Sequence, residues 1–202
     1  MASDPWYLHV FSPLLSGIVG ASLVYYFGIR QISIKRYVDF VERQLQEFYA
    51  PMAGWRKRIR SKSELRSRVS EAADEAWQES CESYDGTATQ DHEERFKPFN
   101  RIIKYDNDQF ERELMPLYRQ MLDLFTDKYW LAAKDTRGFY QEHLEFVDIW
   151  ERYLGAAIPG EVIKKLGHSE ENVKTFYDHI ENKLQQLQEE VADLKPWWKR
   201  FV

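Results

Sequence analysis

The chain has 202 residues, with 33 Asp/Glu against 28 Lys/Arg, 44% apolar and 15% aromatic residues, and a single cysteine, Cys81. Such a composition excludes a disordered chain, and one cysteine excludes an intramolecular disulfide framework and a thiolate zinc site. The net charge of -5 is unevenly spread: Arg30 to Ser70 carries 11 Lys/Arg against 4 Asp/Glu, while the residues from Glu71 onward carry 17 against 28.

The first predicted element is Trp6 to Gly28, inside an uncharged stretch from Pro5 to Ile29. About 20 such residues cross a ~30 Å hydrocarbon core as a helix. Trp6 and Tyr7 at one end and Tyr25, Tyr26 and Phe27 at the other suit the headgroup boundary. A cleavable signal peptide would need a basic leader and a small-residue cleavage site, and the leader here has only Asp4. The basic stretch after the span predicts an N-terminus outside and the rest of the chain in the cytoplasm. The negative mean hydropathy predicts no further span.

A stalk helix is predicted next, over 30–50, with Ile34, Val38, Val41, Leu45 and Phe48 at alternating spacings of four and three. The same seam runs back through Val24, Gly20 and Gly17. Ser12, Ser16 and Gly20 form a second line beside Gly17 and Ala21, and small residues so placed let transmembrane helices approach closely. Either this face joins copies of the chain or the stalk packs on its own domain.

Pro51 and Gly54 predict a turn or kink at YAPMAG. Beyond it lie Arg56, Lys57, Arg58, Arg60, Lys62, Arg66 and Arg68, with Glu64 the one acidic residue among them. Three readings stand: a solvated face paired with the acidic body, contact with anionic lipid, or a site for an anionic ligand, nucleic acid being the weaker form of the last. Ser61 and Glu64 read as a capping box, followed by an apolar stripe at Leu65, Val69, Ala72, Ala73, Ala76, Trp77 and Tyr84.

Asp91 is expected to cap a short helix that Pro98 breaks, and YDNDQ to start the next. A core helix kinked at Pro116 would bury Phe110, Leu114, Leu117, Met121, Leu124 and Phe125. Thr136 is expected to cap a helix burying Tyr140, Leu144, Val147, Trp150 and Leu154, with Glu142, Glu145, Asp148 and Glu151 solvated. Pro159 opens and Gly167 closes a short helix. Ser169 starts a long last helix carrying Val173, Tyr177, Ile180, Leu184, Leu187, Val191 and Leu194. It is either a coiled coil between subunits or a helix along its own stalk. Pro196 ends it, and WWKRFV either sits at a membrane interface or closes a core.

No phosphate-binding loop or dinucleotide fingerprint occurs. The histidines His9, His92, His143, His168 and His179 fit no metal-binding spacing. The reading is therefore non-enzymatic, with no metal and no cofactor. The runs LQEFYAPM, LMPLYRQMLDLF, FVDIWERYL and IPGEVIKKLGHSEE resemble segments of bacterial single-pass, membrane-anchored all-helical proteins of unassigned function. The resemblance implies a bacterial inner-membrane protein with a role in stress or phage defence.

The expected architecture is all-α: a transmembrane anchor (1–29), a juxtamembrane stalk (30–50) and a cytoplasmic helical bundle (51–202) with a heptad-patterned C-terminal helix. Its partners are the bilayer and either copies of itself or another protein. The alternative is a membrane effector gated by an anionic small ligand at the basic segment.

Overall fold

The computed structural model describes the backbone over 6–82 and 89–194 and the side chains over 24–82 and 93–194. Every regular element among these residues is helical, as the all-α expectation requires. Contacts divide the chain into two compact units, Met1–Arg43 with Leu187–Val202, and Gln44–Gln186.

The first unit holds most of α1 (Trp6–Gln44) and the end of α8 (Lys174–Leu194). Tyr37 Oη donates a hydrogen bond to the Glu190 carboxylate, and Val41, Leu187 and Val191 are buried. Of the two roles open to the heptad helix, its last turns thus accompany the stalk of their own chain. Along the stalk seam Ile34 is exposed and Val38 half-buried, while Val41 is buried. Upstream, Val24, Tyr25, Tyr26, Phe27 and Ile29 are all exposed. Among the described residues no helix is long and apolar enough to cross a membrane. The expected span up to Leu23 lies outside the described side chains, and with it Ser12, Ser16, Gly17, Gly20 and Ala21. Tyr84, Pro196 and WWKRFV also lie outside the described residues.

In the second unit the helix is not broken at YAPMAG, where a turn or kink was expected; the irregularity there is a widened turn within a continuing helix. The backbone passes from a π turn at Leu45–Tyr49 into α2 (Ala50–Glu82), with Pro51 in its first turn. A proline lacks a donor and its ring strikes the carbonyl four residues back; for Pro51 that carbonyl belongs to Glu47, inside the widened turn. The arrangement recurs after α3 (Thr89–Gln109), where a π turn at Phe110–Leu114 precedes α4 (Met115–Asp127) and Pro116. In each case the residue before the proline donates five residues back, Ala50 to Leu45 and Met115 to Phe110. The π turns take the strain that would otherwise end the helices. Pro98 is likewise no break, since it sits inside α3, which is already helical at Thr89 and runs through YDNDQ to Gln109. Ser61 and Glu64 do not start a helix either. Both lie within α2, where Ser61 Oγ donates to the Lys57 carbonyl and Glu64 accepts from Arg60.

Short-range signals fare better. Thr136 sits in α5 (Lys134–Arg137) and does not cap α6 (Tyr140–Leu154), but α7 (Gly160–Leu166) is opened by Pro159 and closed by Gly167 at φ 59°. That left-handed φ is one that glycine adopts without strain. Ser169 and Asn172 form a capping box at the 3-10 turn Glu170–Val173 leading into α8.

The core of this unit is aromatic. Phe125 of α4 meets Phe48 and Tyr140 edge-on at 5.4 and 5.3 Å and stacks on Phe176 at 5.7 Å. A hydrogen-bonded thread crosses it: the Ala133 amide donates to Tyr49 Oη, which contacts Thr136 Oγ1 at 2.8 Å, and Thr136 in turn contacts His179 Nε2 at 2.9 Å. Gln44 Nε2 donates to the Leu131 carbonyl. Residues buried on α6 are His143, Phe146 and Val147, with Tyr140, Leu144, Trp150 and Leu154 half-covered.

α2 and α3 run as a hairpin, joined by Trp77 against Phe96 and Phe99 and by Arg66 near Asp106. The stripe from Leu65 to Ala76 does not pack on the core as expected, since Leu65, Val69, Ala72 and Ala76 are exposed. A Cβ added at Gly54, an exposed position early in α2, meets nothing within 4 Å. Gly54→Ala is expected to raise stability by roughly 0.5–1 kcal/mol. A rightward shift of the urea midpoint for the full chain checks this; a leftward shift would show that the glycine is needed for close packing.

Candidate functional site

The basic segment lies along α2, where helical periodicity turns its seven cations to different neighbours. Arg56 points inward, with its side chain 14% exposed. Its guanidinium donates to the Glu170 carboxylate and lies 4.0 Å over the Tyr177 ring. Tyr118 Oη donates to the same carboxylate at 3.1 Å. Burial, then the charge of Glu170, pushes the Tyr118 phenol far up, and burial does the same to Tyr177. Both phenols therefore stay protonated across the physiological range.

Lys62 pairs with Glu113, Arg66 approaches Asp106 at 3.8 Å, and Arg60 pairs with Glu64 one turn on at 2.8 Å. Among the described residues Lys57, Arg58 and Arg68 form no ion pair. Four of the seven cations are thus engaged by carboxylates of the same unit. A groove of about 800 Å³ beside α2 is lined by Arg56, Arg60, Arg68 and Lys174, and also by Glu64, Glu170, Glu171 and Asp178. Equal numbers of the two signs remove the attraction that a bare cationic cleft exerts on an anion.

A second cavity of about 550 Å³ shares Ser63 and Glu170 with that groove. Its wall is aromatic, from Tyr118, Phe146 and Trp150, and its rim carries Arg66, Asp108 and Glu111. Phe110 and His168 flank the Trp150 ring at 4.8 and 5.3 Å, and Trp150 Nε1 is buried with no hydrogen-bond partner. Burial holds His168 below the ordinary histidine range. The cavity has the mixed lining of a site for an amphipathic group. Among the described residues no group of three or more His, Cys, Asp or Glu is placed to hold a metal ion. Cys81 is free and exposed.

No protein-family model matches this chain, and no curated protein and no solved structure matches it.

Of the residues expected from sequence, the structure brings Arg56 into a buried cluster and leaves Lys57 and Arg58 exposed. Phe48 ends the stalk seam fully buried in the second unit, with Leu45 half-covered. Sequence reasoning missed Phe176, Tyr118 and His143. Phe176 completes the i, i+3, i+4, i+7 set Val173, Phe176, Tyr177 and Ile180, a signal that periodicity alone can supply. Nothing local marks His143 or Tyr118, which matter only because α4, α6 and α8 converge.

Proposed function

We propose that this chain is a non-enzymatic, single-pass membrane-anchored protein whose helical domain assembles with copies of itself at the cytoplasmic face of a bacterial inner membrane. The observation that carries the reading is the exposure of Val24, Tyr25, Tyr26, Phe27 and Ile29. Consecutive positions on a helix point about 100° apart, so these five side chains surround α1. A partner helix covers one stripe; surroundings apolar on every side are what lipid provides. The uncharged sequence back to Pro5 gives the length, and Arg30, Lys35 and Arg36 after it give the orientation.

The alternative, a bilayer-perturbing effector switched by an anionic ligand at the basic segment, has less support. Most of that segment's cations already have carboxylate partners, and the groove beside them is balanced in charge.

Alkaline carbonate extraction of membranes expressing the full chain tests the anchor: the protein is expected to stay in the pellet. In a Cys81→Ser background, Ser3→Cys should react with an impermeant maleimide added outside intact cells. Release by carbonate overturns the anchor, and retention without outside labelling overturns the orientation.

A further inference from the structure

The α2–α3 hairpin leaves one long side uncovered. Leu65, Val69, Ala72 and Ala76 of α2 are exposed there, and with Ile102 and Tyr105 of α3 they border two adjoining grooves of about 470 and 290 Å³. Heights along the hairpin are fixed by its internal contacts: Arg66 is level with Asp106, Trp77 with Phe96 and Phe99, and Ser80 with Arg95. Charge changes sign at one height on both helices, in opposite senses. On α2, Arg56 to Arg68 carries seven Lys/Arg and one Glu, and Glu71 to Glu82 carries five Asp/Glu and no Lys/Arg. On the return path, Arg95 to Lys104, level with the acidic part of α2, carries four Lys/Arg and no Asp/Glu, while Asp106 to Glu113, level with the basic part, carries four Asp/Glu and one Arg. Within the chain, Arg66 with Asp106 and Lys62 with Glu113 use this complementarity where the helices meet. Glu75 and Arg101 do not. Each is exposed, is in no ion pair among the described residues, and stands two positions from Trp77 or Phe99, about 200° around its helix from the ring that meets the sister helix.

We propose that this side of the hairpin binds the same side of a second copy about a two-fold axis parallel to the helices, forming a four-helix bundle in which α2 of each copy lies against α3 of the other. A two-fold axis demands a self-complementary surface. Rotation about an axis along the helices leaves every height unchanged, so the acidic part of each α2 meets the basic part of the other copy's α3, and Glu75 comes beside Arg101. At the same heights Val69 meets Tyr105 and Ala72 meets Ile102, so the large side chains of α3 fill the space that the small ones of α2 leave. The axis also keeps the Ala50 ends of both α2 helices at one end of the bundle, so the two chains enter it from the same side. Assembly at one face of a membrane requires that arrangement, and a two-fold axis across the helices would reverse one copy. An anionic lipid surface is disfavoured as the occupant, because Glu71, Asp74 and Glu75 would approach it together with the apolar strip. The inference deepens the self-assembly part of the proposed function and rests on it.

The test uses the full chain in mild detergent, with its mass measured by light scattering over a dilution series. The wild type is expected to be a dimer. Glu75→Arg and Arg101→Glu, both surface changes, should each weaken association by at least ~10-fold, and the double variant should recover most of that loss. Orientation is read by mixing Val69→Cys and Tyr105→Cys chains, each carrying Cys81→Ser, with a short bismaleimide: conjugates between unlike chains should exceed those between like chains. An oligomer indifferent to the charge changes, or linked mainly like to like, overturns this interface and leaves self-assembly through another face standing. A monomer at every concentration overturns the interface and the assembly reading together, while the anchor still stands or falls by carbonate extraction.

Discussion

Phe125→Ala is expected to destabilise the chain by about 3–5 kcal/mol, the range for truncating a fully buried phenylalanine. The ring is 0% exposed and joins three segments distant in sequence: Phe48 of the first π turn, Tyr140 of α6 and Phe176 of α8. None of these rings can move into the space, because each is held by its own helix, so the cavity stays open. Native domains are stable by only about 5–15 kcal/mol, which makes this loss a large share of the total. Urea unfolding followed by near-ultraviolet circular dichroism measures it. Phe125→Leu should lose much less, and a loss below about 1 kcal/mol for the alanine variant would show that the three segments are not joined through this ring.

Acid is expected to destabilise the chain chiefly through His143. Its imidazole is 0% exposed, neither nitrogen has a hydrogen-bond partner of ordinary geometry, and Phe176 packs 5.1 Å from the ring. Burial lowers its pKa to about 4, and the backbone of Tyr118 offsets this only in part. The fold therefore holds the neutral ring, while the unfolded chain takes up a proton below the ordinary value near 6.5. Stability is complete above about pH 6.5, falls as pH drops through that value, and stops falling on this account below about pH 4. The slope approaches about 1.4 kcal/mol per pH unit, for a total of about 3 kcal/mol. His168 and His179 are shifted the same way by burial, so they add to the slope. Groups facing His179 pull against this: Asp135 raises it, although Lys183 opposes. His143→Leu removes the titrating ring and should flatten the acid limb, leaving the slope of the other two. Urea midpoints from pH 7.5 to 4.0 for both proteins decide it, and identical slopes would sink the assignment.

What the sequence disclosed follows from the range of each interaction. Gly167, Pro159 and Ser169 act through their own dihedral angles and nearest amides, and they begin or end helices where they were expected to. Pro116 lies inside a continuing core helix, as expected; Pro51, Pro98 and the Ser61 and Glu64 pair were misleading for one shared reason. Each is a local preference set against a helix whose continuation is decided by tertiary packing. The stripe from Leu65 to Ala76 was visible as a pattern, but periodicity reports that a face is apolar and not what covers it. The basic segment was equally visible, yet its carboxylate partners Glu113 and Glu170 lie 51 and 114 residues downstream of Lys62 and Arg56. No window of sequence contains those pairs.

The two π turns have a consequence for helical phase. Each holds one residue more than an α-helix would use for the same turn, and two adjacent residues are buried at its end, Phe48 with Tyr49 in the first and Leu114 with the following Met115 in the second. Removing a single residue from either would rotate everything on one side of it by about 100° relative to the other. The extra residue therefore works as a fixed angular offset: it lets one unbroken backbone present differently directed faces to its surroundings before and after the proline. A change of one residue is therefore a larger perturbation there than a change of four, which leaves the phase only about 40° off.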